Sequence, residues 1–174
     1  MTAVLFTCAG QRADIVGAFR AAGAFAVATD ANALAPALYH ADVRAIAPRV
    51  DDPGYIAFLA RLVADHDVRL VVPLTDLDGA LLQRGRAELG AAVLAPAPEI
   101  VERMSDKYAA ALELAQHGIL SPPTWLPGEL PAEADIPYPV LVKARSGFGS
   151  RNIYRAAARA ELDFFLRYSP VESM

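Results

Sequence analysis

With one cysteine in the chain, Cys8, neither an intrachain disulfide nor a cysteine-based metal cluster can form. Cys8 falls in an apolar stretch, where a free thiol more often packs as a small hydrophobe than reacts. Runs of like charge are also missing. The 20 acidic and 16 basic residues are dispersed, for a formal net charge of -4. That argues against nucleic acid as the main partner, because phosphate backbones are held by clustered Lys and Arg. No apolar run reaches the ~18 residues of a membrane span, and no basic segment followed by an apolar stretch opens the chain. The expectation is therefore no membrane partner and a cytoplasmic location. The three histidines, His40, His66 and His117, share no metal-ligand spacing. His66 and His117 fall at the C-terminal ends of expected helices, where an imidazolium is favourable. Internal repeats and low-complexity tracts are absent as well.

What the chain does have is apolar material. Of its 174 residues 55% are hydrophobic and 21% charged, a soluble globular balance with enough apolar surface for a sizeable core. That length holds one ordinary domain, or one complete domain and the opening of another.

Residues 3 to 8 form a continuous apolar run, which fits a strand buried on both faces of a parallel sheet. Gly10 supplies the turn out of it. Ile15, Val16 and Phe19 then recur at helical spacing before Gly23, and a second strand is expected at Phe25 to Thr29, ending in Asp30. The alternation continues with a strand at residues 43 to 47 and a helix over 54 to 65 carrying Ile56, Leu59, Leu62 and Val63 on one face. Asp51-Asp52-Pro53 reads as that helix's start. A fourth strand is expected at residues 69 to 73, a helix at 78 to 88 and a short fifth strand at 91 to 94. Strands and helices in this order predict an α/β doubly wound parallel sheet with right-handed crossovers.

After Leu94 the composition changes. Ala95-Pro96-Ala97-Pro98 is a stiff connector, followed by expected helices at residues 99 to 104 and 106 to 117 and a strand at 124 to 126. Four prolines between residues 127 and 139 mark a loop. The apolar stretch Tyr138 to Lys143, a partner strand at 152 to 155 and a helix at 158 to 168 complete the pattern. One domain is expected over residues 1 to 95 and the beginning of a second over 98 to 174. The final hairpin has two strands, too few to complete a sheet unaided.

Lys143 stands at the end of an otherwise apolar strand and runs into Ala144-Arg145-Ser146-Gly147-Phe148-Gly149-Ser150-Arg151. Small residues there let a ligand approach backbone N–H groups closely. The residues alone leave two readings open, a phosphate grip or a hairpin whose edge carries a solvated lysine. Lys107 lies 36 positions earlier (143 − 107), in the first turn of a helix that Ser105 or Asp106 can cap. A cation at a helix N-terminus opposes the helix dipole and makes better sense with an anion bound nearby, although a solvated surface lysine is the plainer alternative. Gly10, Arg12, Asp30, Thr75 and Asp76 fall at expected strand ends, where open α/β sheets bind ligands and where polar residues also cap helices and fix turns. Asp30 follows Gly10 by 20 positions, yet the Gly-x-Gly-x-x-Gly of a dinucleotide site is absent.

The ordered series Val71-Val72-Pro73-Leu74-Thr75-Asp76, Ser105-Asp106-Lys107-Tyr108, Gly118 to Thr124 and Tyr138-Pro139-Val140-Leu141-Val142-Lys143 resembles ATP-grasp enzymes. It is most similar to the large subunit of carbamoyl phosphate synthase and related stand-alone ligases, over nearly the whole chain. The resemblance implies a pre-ATP-grasp domain at residues 1 to 95 and the start of an ATP-grasp domain from residue 98. It implies that Lys107 and Lys143 contact ATP phosphates, with Lys143 also near the adenine, and that Ser146, Gly147, Phe148, Gly149 and Ser150 belong to a loop closing over the β and γ phosphates. Phe148 between the two glycines departs from the glycine-richest members. Gly10, Arg12, Asp30, Thr75 and Asp76 would border a substrate cleft.

Enzymes of this kind use ATP and magnesium to convert a carboxylate, or bicarbonate, to an acyl phosphate that an amine or other nucleophile attacks. Their metal ligands lie on later strands, so no metal ligand is expected here, and Glu161, Asp163 and Glu172 read as surface groups. The expected partners are nucleotide and a small carboxylate substrate. The expectation for this chain alone is an N-terminal portion that binds nucleotide weakly at most and does not turn it over. The alternative is a non-catalytic α/β module that binds a small ligand or a partner subunit. A sheet edge left unfinished after residue 155 also offers another copy of the chain a surface for homo-oligomer pairing.

Overall fold

The computed structural model describes residues 1–147, 149 and 152–169. The chain divides into two compact units, Met1–Val101 and Glu102–Met174.

In the first unit the strands are β1 (Ala3–Thr7), β2 (Phe25–Asp30), β3 (Val43–Ile46), β4 (Val68–Pro73) and β5 (Ala92–Val93). They form one parallel sheet in the order β3-β2-β1-β4-β5. Alternate residues of each strand point to opposite faces, and the core divides accordingly. Ala3, Leu5, Val27 and Val71 pack with Tyr55, Leu59 and Val63 of helix α2 (Tyr55–Asp65) on one face. On the other face Val4, Phe6, Ala26, Ala28 and Val72 pack with Val16 of helix α1 (Ala13–Ala21) and with Leu38 of a 3₁₀ turn at Pro36–His40. Phe6 meets Phe19 of α1 edge-on at 5.1 Å between ring centroids. Leu5 and Phe6 are neighbours in sequence and both fully buried, each in a different half of the core, so helices cover both faces of a doubly wound sheet.

The single helix expected over residues 78 to 88 is two, α3 (Gly79–Arg84) and α4 (Arg86–Leu89). The break falls at Gly85, where a Cβ would lie 3.2 Å from two carbons of Ile56, so α2 packs against bare backbone. The start of α2 also differs from expectation. Gly54 is its N-cap, and Asp52 Oδ1 instead accepts a hydrogen bond from the Gly54 N–H at 2.7 Å in the preceding turn.

Helix α5 (Pro98–Ser105) leads from the first unit into the second, which contains α6 (Lys107–Gln116), the antiparallel pair β6 (Val140–Lys143) and β7 (Ile153–Ala156), and α7 (Arg159–Tyr168). Ile136, Val142, Ala156 and Leu162 form its buried core, and Tyr154 stacks on Phe165 at 5.0 Å. The expected strand at residues 124 to 126 is not formed. Among the described residues no strand pairs with it, and the chain passes into a 3₁₀ turn at Pro127–Glu129. Among the described residues no helix is long and apolar enough to cross a membrane.

Candidate functional site

In the first unit, the carboxyl ends of the strands carry the polar residues. The chain leaves β1 through Cys8 and Gly10, both left-handed with φ of 47° and 49°. Glycine suits the second position, since it meets no Cβ penalty there. The Gly10 N–H donates to Asp30 Oδ2 at 2.8 Å, while Asp30 Oδ1 accepts from the Asn32 N–H at 2.8 Å. Asp30 thus ties the turn after β1 to the end of β2. Arg12 pairs with Asp14 at 3.2 Å on the exposed surface. Thr75 Oγ1 accepts from the Leu77 N–H at 3.3 Å. Thr75 and Asp76 line a depression of about 250 Å³ with Gly79 and Pro96. Of the five candidates on this edge, Gly10 therefore joins Asp30, Thr75 joins Asp76, and Arg12 lies with neither pair.

Beneath this edge is a buried polar cluster that the sequence reading missed. Tyr55, the first residue of α2, donates its hydroxyl hydrogen to Asp78 Oδ2 at 2.6 Å, and Cys8 Sγ lies 3.8 Å from the same hydroxyl. Asp78 is fully buried. Burial pushes its carboxyl above the usual carboxylate range, only partly offset by the Tyr55 hydroxyl. Burial, with the Asp78 carboxylate nearby, pushes the Cys8 thiol up to about 11, so it is protonated at neutral pH and a poor nucleophile. An aspartate at a helix start after a strand reads as an ordinary cap, and a tyrosine 23 residues away gives no sign that it is the partner.

In the second unit, Asp106 caps α6, its Oδ1 accepting from the N–H groups of Tyr108 at 3.0 Å and Ala109 at 3.1 Å. Asp106 Oδ2 accepts from Arg145 Nε, and Arg145 Nη2 also lies 2.7 Å away. Arg145 holds the Asp106 carboxyl below its usual range. The Lys107 N–H donates to the Arg145 carbonyl and its ammonium to the Gly147 carbonyl, both at 3.0 Å. The start of α6 and the loop after β6 are therefore fastened together. Gly147 and Gly149 have φ of 143° and 68°, conformations that side chains rarely adopt. Ser146 is exposed. Phe148 and Ser150 lie outside the described residues.

Lys143 ends β6, half-buried, opposite Ile153 of β7. It lines a largely apolar cavity of about 320 Å³ with Trp125, Pro127, Val140 and Leu162. An apolar slot suits a ring, and an ammonium at its lining suits an anion attached to that ring. The role of Arg145 was also missed. Its position two after Lys143 places it in the loop, but only the fold brings it to Asp106.

Among the described residues no three His, Cys, Asp or Glu side chains come together as a metal site. Glu161 Oε2 accepts from the Ala157 N–H at 2.7 Å, and Asp163 pairs with Arg159 at 2.8 Å.

A family model described as PylC-like, N-terminal domain, matches residues 4–95. No curated protein matches the chain. Among solved structures, N5-carboxyaminoimidazole synthetase from Staphylococcus aureus, complexed with ADP, is similar at a TM-score of 0.75 and 16% identity, covering 99% of this chain and 46% of that one. The biotin carboxylase domain of 2-oxoglutarate carboxylase from Hydrogenobacter thermophilus, in complex with MgADP, ADP and bicarbonate, gives 0.68 and 21%, covering 97% and 40%. L-amino acid ligase from Bacillus licheniformis gives 0.68 and 16%, covering 97% and 42%. The chain spans less than half the length of each of these structures.

Proposed function

Because this chain belongs to the family of PylC-like N-terminal domains, we propose that it is the N-terminal portion of an ATP-dependent ligase that activates a carboxylate or bicarbonate for attack by an amine or other nucleophile. On this reading residues 1 to 95 are the pre-ATP-grasp domain and residues 98 to 174 the N-terminal part of the ATP-grasp domain. The observation that carries the reading is the fastening of the Lys107 ammonium to the Gly147 carbonyl in the loop that Lys143 leads into.

Bound ATP would supply the phosphoryl group that turns the carboxylate into an acyl phosphate. Phosphoryl transfer asks a protein mainly for positioning and charge neutralisation. Lys143 contacts a phosphate of ATP and lies near the adenine at its cavity. Lys107 exchanges its carbonyl partner for phosphate oxygen. Ser146, Gly147 and Gly149 present backbone N–H groups at the same loop. The chain by itself binds nucleotide weakly and does not turn it over. The edge bearing Gly10, Arg12, Asp30, Thr75 and Asp76 borders the carboxylate substrate.

A thermal-shift titration tests the assignment. ATP with magnesium raises the melting temperature of the chain, and Lys143→Ala abolishes the rise. An equal rise in the variant removes the site.

A further inference from the structure

The ends of β1 and β4 lie side by side at the point where the strand order of the sheet reverses, the usual ligand edge of such sheets. Thr7 pairs with Pro73, and the Leu74 N–H donates to the Thr7 carbonyl at 3.1 Å. Two turns leave from there, one through Cys8 and Gly10 and the other through Thr75 to Asp78. Backbone bonding between them ends at Leu74. Beyond it, side chains take over: the Cys8 thiol meets the Tyr55 hydroxyl, which donates to Asp78, and Thr75 also lies beside the thiol.

We propose that Asp78, acting through Tyr55 and Cys8, is the positioning residue that holds these two turns in register and so sets the relation between the Gly10 and Thr75–Asp76 sides of the edge. The proposal rests on the reading of that edge as a carboxylate site. The groups that face Asp78 are the Thr7 hydroxyl at the end of β1, the Cys8 thiol in the turn after it and the Tyr55 hydroxyl from α2, and none of these is a cation. Asp78 Oδ1 makes no hydrogen bond, and neither does the buried Thr7 hydroxyl. A carboxylate charge in this setting is poorly compensated, whereas a neutral acid is tolerated.

The sign of the pH effect follows from burial raising the Asp78 carboxyl. The stabilisation from the protonated acid is fully present below the ordinary value of 3.8 and is lost as pH rises through the raised folded value. Asparagine keeps an oxygen for the Tyr55 hydroxyl and remains neutral throughout.

Hydrogen exchange on the whole chain, corrected for intrinsic rates, tests this through four hydrogen-bonded amides, Ala9, Gly10, Leu74 and Leu77. Tyr55→Phe, which deletes only the hydroxyl, speeds their exchange about ten-fold while the amides of β3 keep their rates. At pH 4 Asp78→Asn keeps wild-type protection. Between pH 4 and 8 wild-type protection of these amides falls relative to Asp78→Asn. The proposal is overturned if Tyr55→Phe leaves the four amides unchanged, if it speeds exchange equally across the unit, or if wild type and Asp78→Asn respond to pH alike. No ligand takes part, so the result is independent of whether the chain binds nucleotide or a carboxylate.

Discussion

The Lys107 ammonium donates a hydrogen bond to the Gly147 carbonyl oxygen at 3.0 Å, so a side chain in the first turn of α6 reaches the loop that follows β6. The contact is exposed, and its loss should hardly touch the fold. Lys107→Ala is expected to lower stability by less than about 1 kcal/mol in urea denaturation. Its effect on ATP affinity is expected to be larger, a fall of about ten-fold or more, because a charge-assisted bond to phosphate is lost.

Asp106 has two tasks, capping α6 and holding Arg145. Asp106→Ala should cost about 1–2 kcal/mol, the usual range for losing a helix cap. Asp106→Asn keeps the cap and should cost less. Because the folded carboxyl sits below the ordinary 3.8, the advantage of wild type over Asp106→Asn is present above that value and disappears as pH falls through the folded value. Denaturation midpoints of the two proteins between pH 3 and pH 7 check the sign.

Gly85 gives α2 its close approach, since an added Cβ would sit 3.2 Å from Ile56 Cδ1 and Cγ2 and 3.3 Å from the Leu81 carbonyl. Gly85→Ala should destabilise the first unit by about 1–3 kcal/mol through overpacking. Adding Ile56→Val removes one of the crowded carbons and should recover part of that loss, a coupling that a double-mutant cycle measures.

Periodicity made the first unit legible. Leu5 and Phe6, adjacent and both apolar, already required two covered sheet faces, and the five strands lie close to where the apolar runs placed them. The failures have local causes. Gly85 falls inside the single helix expected at residues 78 to 88, but its close neighbour Ile56 is 29 residues away (85 − 56). Residues 124 to 126 have strand composition but, among the described residues, no strand to pair with. In the second unit Asp106 and Lys107 could be placed at a helix start from sequence, whereas their bonds to Arg145 and Gly147 depend on a turn that spacing does not reveal. The Tyr55–Asp78 contact was hidden for the same reason. A buried acid and a buried phenol show themselves only when the strands between them are assembled.

Calorimetric titration of the chain with ATP and, separately, with adenosine, both with magnesium present, tests the central claim most directly because the two ligands differ only in their phosphates. Wild type should bind ATP more tightly than adenosine by about ten-fold or more, and Lys107→Ala and Lys143→Ala should each erase that margin. Absence of ATP binding in wild type, or a margin over adenosine that survives Lys143→Ala, would contradict the account.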